Sequence, residues 1–158
     1  MNDIFFTIFV NKQVGVNIKN YKISFIMEKV KVIIVWNKNY GAYTEALSGC
    51  VAADETLQGV KDGIRSAIEM HLETMREDKD EIPEILNGAY ELTFELDSRA
   101  LLHYYEGVIT RTGLSRLTGI NEKQLGHYAQ GVRSPRKKQR EKIINGIHQL
   151  GKELLEMD

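Results

Sequence analysis

The sequence predicts an α+β protein in two parts, a β-β-β-α-β unit over residues 27–97 and an all-α unit over residues 98–158. Three observations predict this. Apolar residues alternate at a period of two from Val30 to Trp36, take helical spacing from Leu57 to Met75, return to a period of two from Tyr90 to Leu96, and stay helical thereafter. Charge divides at the same boundary. Residues 27–97 carry 7 Lys/Arg against 15 Asp/Glu, a net of −8, and residues 98–158 carry 11 against 6, a net of +5. Finally, Gly119 and Gly131 punctuate the second part at the spacing of short helices joined by turns.

Residues 1–26 hold 3 Lys and 1 Asp, and an apolar run of 7 residues from Ile4 to Val10. The run is too short to span a bilayer, and it lacks the basic start and small-residue cleavage site of a signal peptide. We read this segment as an N-terminal extension translated from an early start, because Met27 opens a well-patterned domain; the alternative is one more strand. Cys50 is the only cysteine, so no internal disulfide forms, in keeping with a reducing cytoplasm. Beside Gly49 it reads as a small buried hydrophobe.

In the first unit, Val30, Val32, Ile34 and Trp36 define one wholly apolar strand face, and Ile33 and Val35 make the other partly so. Asn37 to Gly41 reads as a hairpin loop, with strands expected at about 42–47 and 50–53. Asp54 or Thr56 caps a long helix of about 57–77. Its stripe of Leu57, Val60, Ile64, Ala67, Ile68, His71, Leu72 and Met75 lies on a sheet. Asp78 to Gly88 is an acidic linker containing Pro83. A fourth strand, about 89–96, places Tyr90, Leu92, Phe94 and Leu96 on one face.

In the second unit, Ser98 is expected to cap a helix of about 99–108. Leu114 and Leu117 follow at helical spacing. Thr118-Gly119-Ile120 then breaks the run, and Asn121 with Gln124 three residues on reads as a capping box. Ser134 and Pro135 are expected to start the last helix, as cap and first residue. Its Ile143, Ile147, Leu150, Leu154 and Met157 repeat at 4-3-4-3, and the distal part suits pairing with a second copy.

The stretch Leu114 to Pro135 resembles the lambda-repressor-like (XRE-type) helix-turn-helix through Leu114-Ser115, Gly119-Ile120, Asn121, Leu125 and Gly131-Val132-Arg133-Ser134-Pro135. By position in that motif, Glu122, Lys123 and His127, with Gln124 beside them, face the major groove. Lys donates to guanine and Gln suits adenine. Arg111, Arg133, Arg136, Lys137 and Lys138 are placed for phosphates, which set register without reading sequence. Such motifs bind inverted repeats as dimers, so the resemblance implies operator double-stranded DNA and a homodimer or higher homo-oligomer as partners.

A second resemblance lies upstream. Ser48-Gly49-Cys50, Glu55-Thr56-Leu57 and Ile68-Glu69-Met70-His71-Leu72, in that order, resemble the N-terminal domain of HicB antitoxins, a reduced RNase H-like fold followed in the family by a DNA-binding domain. The Tyr43-Thr44-Glu45-Ala46-Leu47 stretch departs from the family by lacking a Pro before the Gly-Cys pair. The resemblance implies an antitoxin that occludes a basic, mRNA-cleaving HicA-like toxin and represses its own operon. Tyr43, Glu45, Glu91 and Glu95 are the candidate toxin contacts. The rival readings are a stand-alone repressor whose N-terminal domain senses a small molecule, and a metal-dependent nuclease of RNase H type.

Composition and spacing weigh against catalysis. Two-metal nuclease chemistry needs three or four convergent carboxylates, and of Glu45, Asp54, Glu55, Asp62, Glu91 and Glu95 only Glu91 and Glu95 share a strand face. His71, His103, His127 and His148 have no metal-ligand spacing, and no Gly-rich phosphate loop is present. We therefore expect no enzyme activity, no metal and no cofactor. A net of −8 on the first unit also disfavours RNA binding by its sheet.

Overall fold

The computed structural model describes residues 27–157, and the expectations placed on residues 1–26 lie outside them. The element order is β1 (Glu28–Asn37), β2 (Asn39–Thr44), β3 (Val51–Asp54), α1 (Leu57–Asp78), a 3-10 turn (Glu84–Leu86), β4 (Tyr90–Leu96), α2 (Ser98–Tyr105), α3 (Arg111–Thr118), α4 (Glu122–Ala129) and α5 (Lys137–Leu155). The α+β class and the β-β-β-α-β order of the first unit are as expected.

The four strands form one mixed sheet in the order β3-β2-β1-β4, with β1 and β4 parallel and the other pairs antiparallel. Strand alternation puts Val30, Val32 and Ile34 under α1, where Val60, Ile64, Ile68 and Leu72 meet them, all at 2% exposure or less. Burial on one side only follows from the pleat, because residues two apart share a face. Thr56 caps α1 by accepting from the Gly59 amide at 2.9 Å, and Asp54 braces Thr56 through its amide and hydroxyl, both at 2.7 Å. Those bonds hold the Asp54 carboxyl below the usual aspartate value. Burial pushes the Cys50 thiol up, as befits a packed side chain and not a nucleophile.

The structure revises four local expectations. The first hairpin has no five-residue loop: β1 and β2 stay paired to Asn37 and Asn39, and Lys38 alone makes the turn at φ 72°. The linker contains the 3-10 turn, whose Leu86 is buried in the sheet core. Asp97, not Ser98, caps α2, accepting from the Ala100 amide at 2.6 Å, and the helix ends at Tyr105. The Asp97 amide also donates to Ile34 at 2.7 Å, continuing the sheet by one step, so the residue is already held where a cap is needed. Finally, α5 begins after Arg136, two residues later than Pro135 implies, and no side chain caps it.

The helical half has its own core of Leu102, Leu114, Ile120, Leu125, Tyr128 and Ile143. Gly119 ends α3 at φ 67°, a left-handed conformation that costs a Cβ-bearing residue energy, and Ile120 plugs the angle to α4. α5 crosses α3 at Gly146, where a Cβ would stand 3.0 Å from Thr118 Cγ2 and 3.3 Å from the Leu117 carbonyl. Small size at that crossing lets the backbones approach.

Long-range bonds join the halves. Arg140, in the first turn of α5, donates to Glu95 at 2.7 Å, to the Leu96 carbonyl at 2.9 Å and to Ser98 Oγ at 3.1 Å. Trp36 stacks on His103 of α2 with centroids 3.6 Å apart and planes 11° from parallel. Lys31 bonds Glu95 from the other side at 3.0 Å. The Lys31 bond first, and Arg140 after it, hold the Glu95 carboxyl below the usual glutamate value against the opposing effect of burial. A depressed folded value means that this contribution is present above the ordinary glutamate range and is lost as pH falls through the folded value. Arg140→Ala is expected to cost about 1–2 kcal/mol in urea denaturation, chiefly because it removes a charged donor from the part-buried Leu96 carbonyl; its bond to the exposed Glu95 carboxylate adds little.

Candidate functional site

Two faces of the fold present side chains with little internal purpose. The first is the outer surface of α4 with the loop and helix start that follow it. Asn121 caps α4, accepting from the Lys123 amide at 2.9 Å. The expected capping box does not form: the Gln124 amide donates to Tyr128 Oη at 2.6 Å, one turn along the same helix. Gln124 is consequently half-buried and committed. Glu122 and Lys123 are exposed, and His127 is half-buried. Gly131, at φ 72°, wraps the end of α4, and the Arg133 amide returns to the His127 carbonyl at 3.2 Å.

Exposed cations follow α4 in the chain. Arg133 lies in the loop after α4, Arg136 is the residue before α5, and Lys137 and Lys138 are its first two residues; all four are exposed. None of them, nor Lys123, makes an ion pair among the described residues. Arg111 differs: it bonds Glu106 at 2.8 Å and passes near Gly126 of α4, where a Cβ would sit 3.6 Å from its Nη1. The start of α5 breaks a local rule. It has no side-chain cap and no acid in its first turn, and it stacks Lys137 and Lys138 at the positive end of the helix dipole. That arrangement is unfavourable for the free chain and favourable for an incoming anion.

The second face is the side of the sheet that α1 leaves bare. Tyr43 sits at its centre on β2, paired across the strands with Ile33 on β1 and Val51 on β3. Tyr43 is 37% exposed and Val51 66%; Ile33 and Val35 are half-buried on the same face, Ile33 toward the helical half. Glu91 and Glu95 lie on the β4 side of the same face by alternation, with Lys29 opposite Glu91. Glu45 is exposed just beyond β2.

The structure therefore brings Tyr43 into an apolar patch but separates it in character from the acids. Glu95 is neutralised by Lys31 and Arg140 and works at the junction of the halves. Much of the negative charge lies elsewhere, on exposed Glu69, Glu73, Glu77 and Asp78 of α1 and on Asp80, Glu81 and Glu84 after it. The sequence reading missed Val51, Ile33 and Val35 as surface residues. The signal was there: β1 is apolar on both faces, although only one face can meet α1.

Among the described residues no group of three or more His, Cys, Asp or Glu side chains is placed to hold a metal ion, and no helix is long and apolar enough to cross a membrane. His71 is half-buried on α1, and His103 is taken up by Trp36. Compared with family models, curated proteins and solved structures, the chain matches none.

Proposed function

We propose that this chain is a cytoplasmic antitoxin of HicB type: its sheet half binds and occludes a basic HicA-like toxin, and its helical half represses the operon by gripping operator DNA as a dimer. The observation that carries the reading is the uncapped start of α5, where Lys137 and Lys138, both exposed, crowd a helix N-terminus shortly after α4 in the chain. A phosphate there relieves the repulsion and takes up the free amides at once. α3 and α4, joined through Gly119, then serve as the helix-turn-helix, with α4 as recognition helix. Lys123 reaches base edges, and Glu122 and His127 flank it. Gln124, tied to Tyr128, positions the helix and does not read adenine. Arg111, Arg133 and Arg136 supply further phosphate contacts.

On the sheet half, the bare apolar patch around Tyr43 supplies the contact, and the acids of α1 and the following linker supply steering toward a cationic partner. This division suits a toxin whose own RNA-binding surface is basic. The rival, a stand-alone repressor with a ligand-sensing sheet half, needs no apolar patch open to solvent on that half.

The DNA reading has a direct test in a titration against the chain's own promoter fragment. Lys123→Ala is expected to cost about 1–3 kcal/mol and to relax sequence preference at one position of each half-site. Lys138→Ala is expected to weaken all sequences alike and to lower the salt slope by about 1. Equal, sequence-blind losses from both variants would contradict the assignment of α4 as the reading helix.

A further inference from the structure

A cleft of about 480 Å³ opens where the sheet half meets the helical half. Its walls include Trp36 and Ile33 from β1, Tyr128 from α4, and Pro135 from the loop before α5; three guanidinium groups, those of Arg99, Arg133 and Arg140, also line it. The volume lies in the range of small-molecule sites, and junctions between packed units are where such sites concentrate.

The charges within the cleft are unevenly spent. Glu95 is held by Lys31 and Arg140. Asp97 is used as the cap of α2. Arg140 is used in turn, on Glu95, the Leu96 carbonyl and Ser98. What remains is positive. Arg133 makes no side-chain hydrogen bond or ion pair among the described residues. Arg99 makes a single long bond, 3.3 Å to Asn37, and its Nε is buried with no partner among the described residues. Its guanidinium also lies against Gly131, where a Cβ would stand 2.9 Å from Cζ. A guanidinium with unused donors, one of them buried, is costly to leave unmet and well suited to a carboxylate or phosphate.

We infer that this cleft is an effector site for a small organic anion, a carboxylate or phosphate carried on a flat ring, with the anionic group between Arg99 and Arg133 and the ring against the side of Trp36 opposite His103. The anion site stands apart from the antitoxin reading and binds without toxin or DNA; its role as an effector rests on the assignment of Arg133 to DNA. Arg133 is also one of the cations assigned to DNA phosphates, so a filled cleft withdraws it and lowers operator affinity.

Trp36 is the only tryptophan, so its fluorescence reports the cleft directly. The full chain is titrated with benzoate, adenosine monophosphate and inorganic phosphate. The expected result is a saturable change with benzoate, with the nucleotide, or with both, at an apparent Kd of about 1 mM or tighter. Binding of one alone identifies the carboxylate or the phosphate class, and binding of both shows that the site takes either anion on a ring. Arg99→Gln is expected to weaken it at least tenfold. Arg133→Ala, an exposed loop change that leaves the core untouched, is expected to do the same and guards against misfolding of the first variant. Saturable binding of bare phosphate as tight as the ring-bearing anions would overturn the role of the ring. No saturable change with any probe, or a change that both variants leave intact, would overturn the site. Binding that leaves promoter affinity unaltered would overturn its role as an effector.

Discussion

Leu125→Ala is expected to destabilise the helical half by about 2–5 kcal/mol, the range for truncating a fully buried leucine. Leu125 is 1% exposed and sits where α4 meets Leu102, Leu114, Ile120, Tyr128 and Ile143. That core has six buried residues, so there is little to collapse into the space left behind. The variant should lose promoter binding, since α4 is presented only while this core holds. Urea denaturation followed by far-ultraviolet circular dichroism gives the stability change. Leu154→Ala is the matched control: at 58% exposure it should shift stability by no more than about 0.5 kcal/mol. If Leu154 proved as costly as Leu125, the distal part of α5 would be buried in solution, as it is when two copies pair along that stripe.

Tyr43→Ala is expected to cost about 2 kcal/mol or more of toxin affinity, roughly 30-fold, with stability nearly unchanged. A half-exposed tyrosine flanked by Ile33 and Val51 has the make-up of an interface anchor: large area, few rotatable bonds and an apolar surround. The probe is the product of the adjacent reading frame, measured by calorimetric titration. Glu91→Lys, by contrast, is expected to slow association and leave dissociation nearly as it was, because a rim charge steers and does not anchor. A Tyr43→Ala variant that bound at full affinity would move the toxin surface off the bare sheet face.

These two residues show what could be read in advance and what could not. The order of strands and helices follows from local periodicity, and so does the turn at Gly119, because each is decided by residues within one or two turns of one another. Tyr43 was singled out from the sequence, but its neighbours were not. Val51 and Ile33 meet it only through strand register, and register depends on Lys38 making a turn alone. Glu95 was read as free surface for the same reason. Its bond to Arg140 spans 45 positions, and no local pattern marks it. Gln124 is the opposite case: its partner Tyr128 is one turn away, a spacing at which helix side chains routinely meet, and the capping-box pattern drew attention from it. The missed helix starts have a related cause. Asp97 and Arg136 take those positions because Asp97 is fixed to the sheet and Arg140 is fixed to the junction, both tertiary constraints that outweigh local propensity.

Purification of the full chain together with the adjacent reading frame's product, followed by titration onto the promoter fragment at low and moderate salt, tests the account most directly. The account predicts a stable complex of the two proteins that still shifts the promoter, with affinity falling steeply as salt rises. Recovery of this chain alone, with no promoter shift even at low salt, would contradict it.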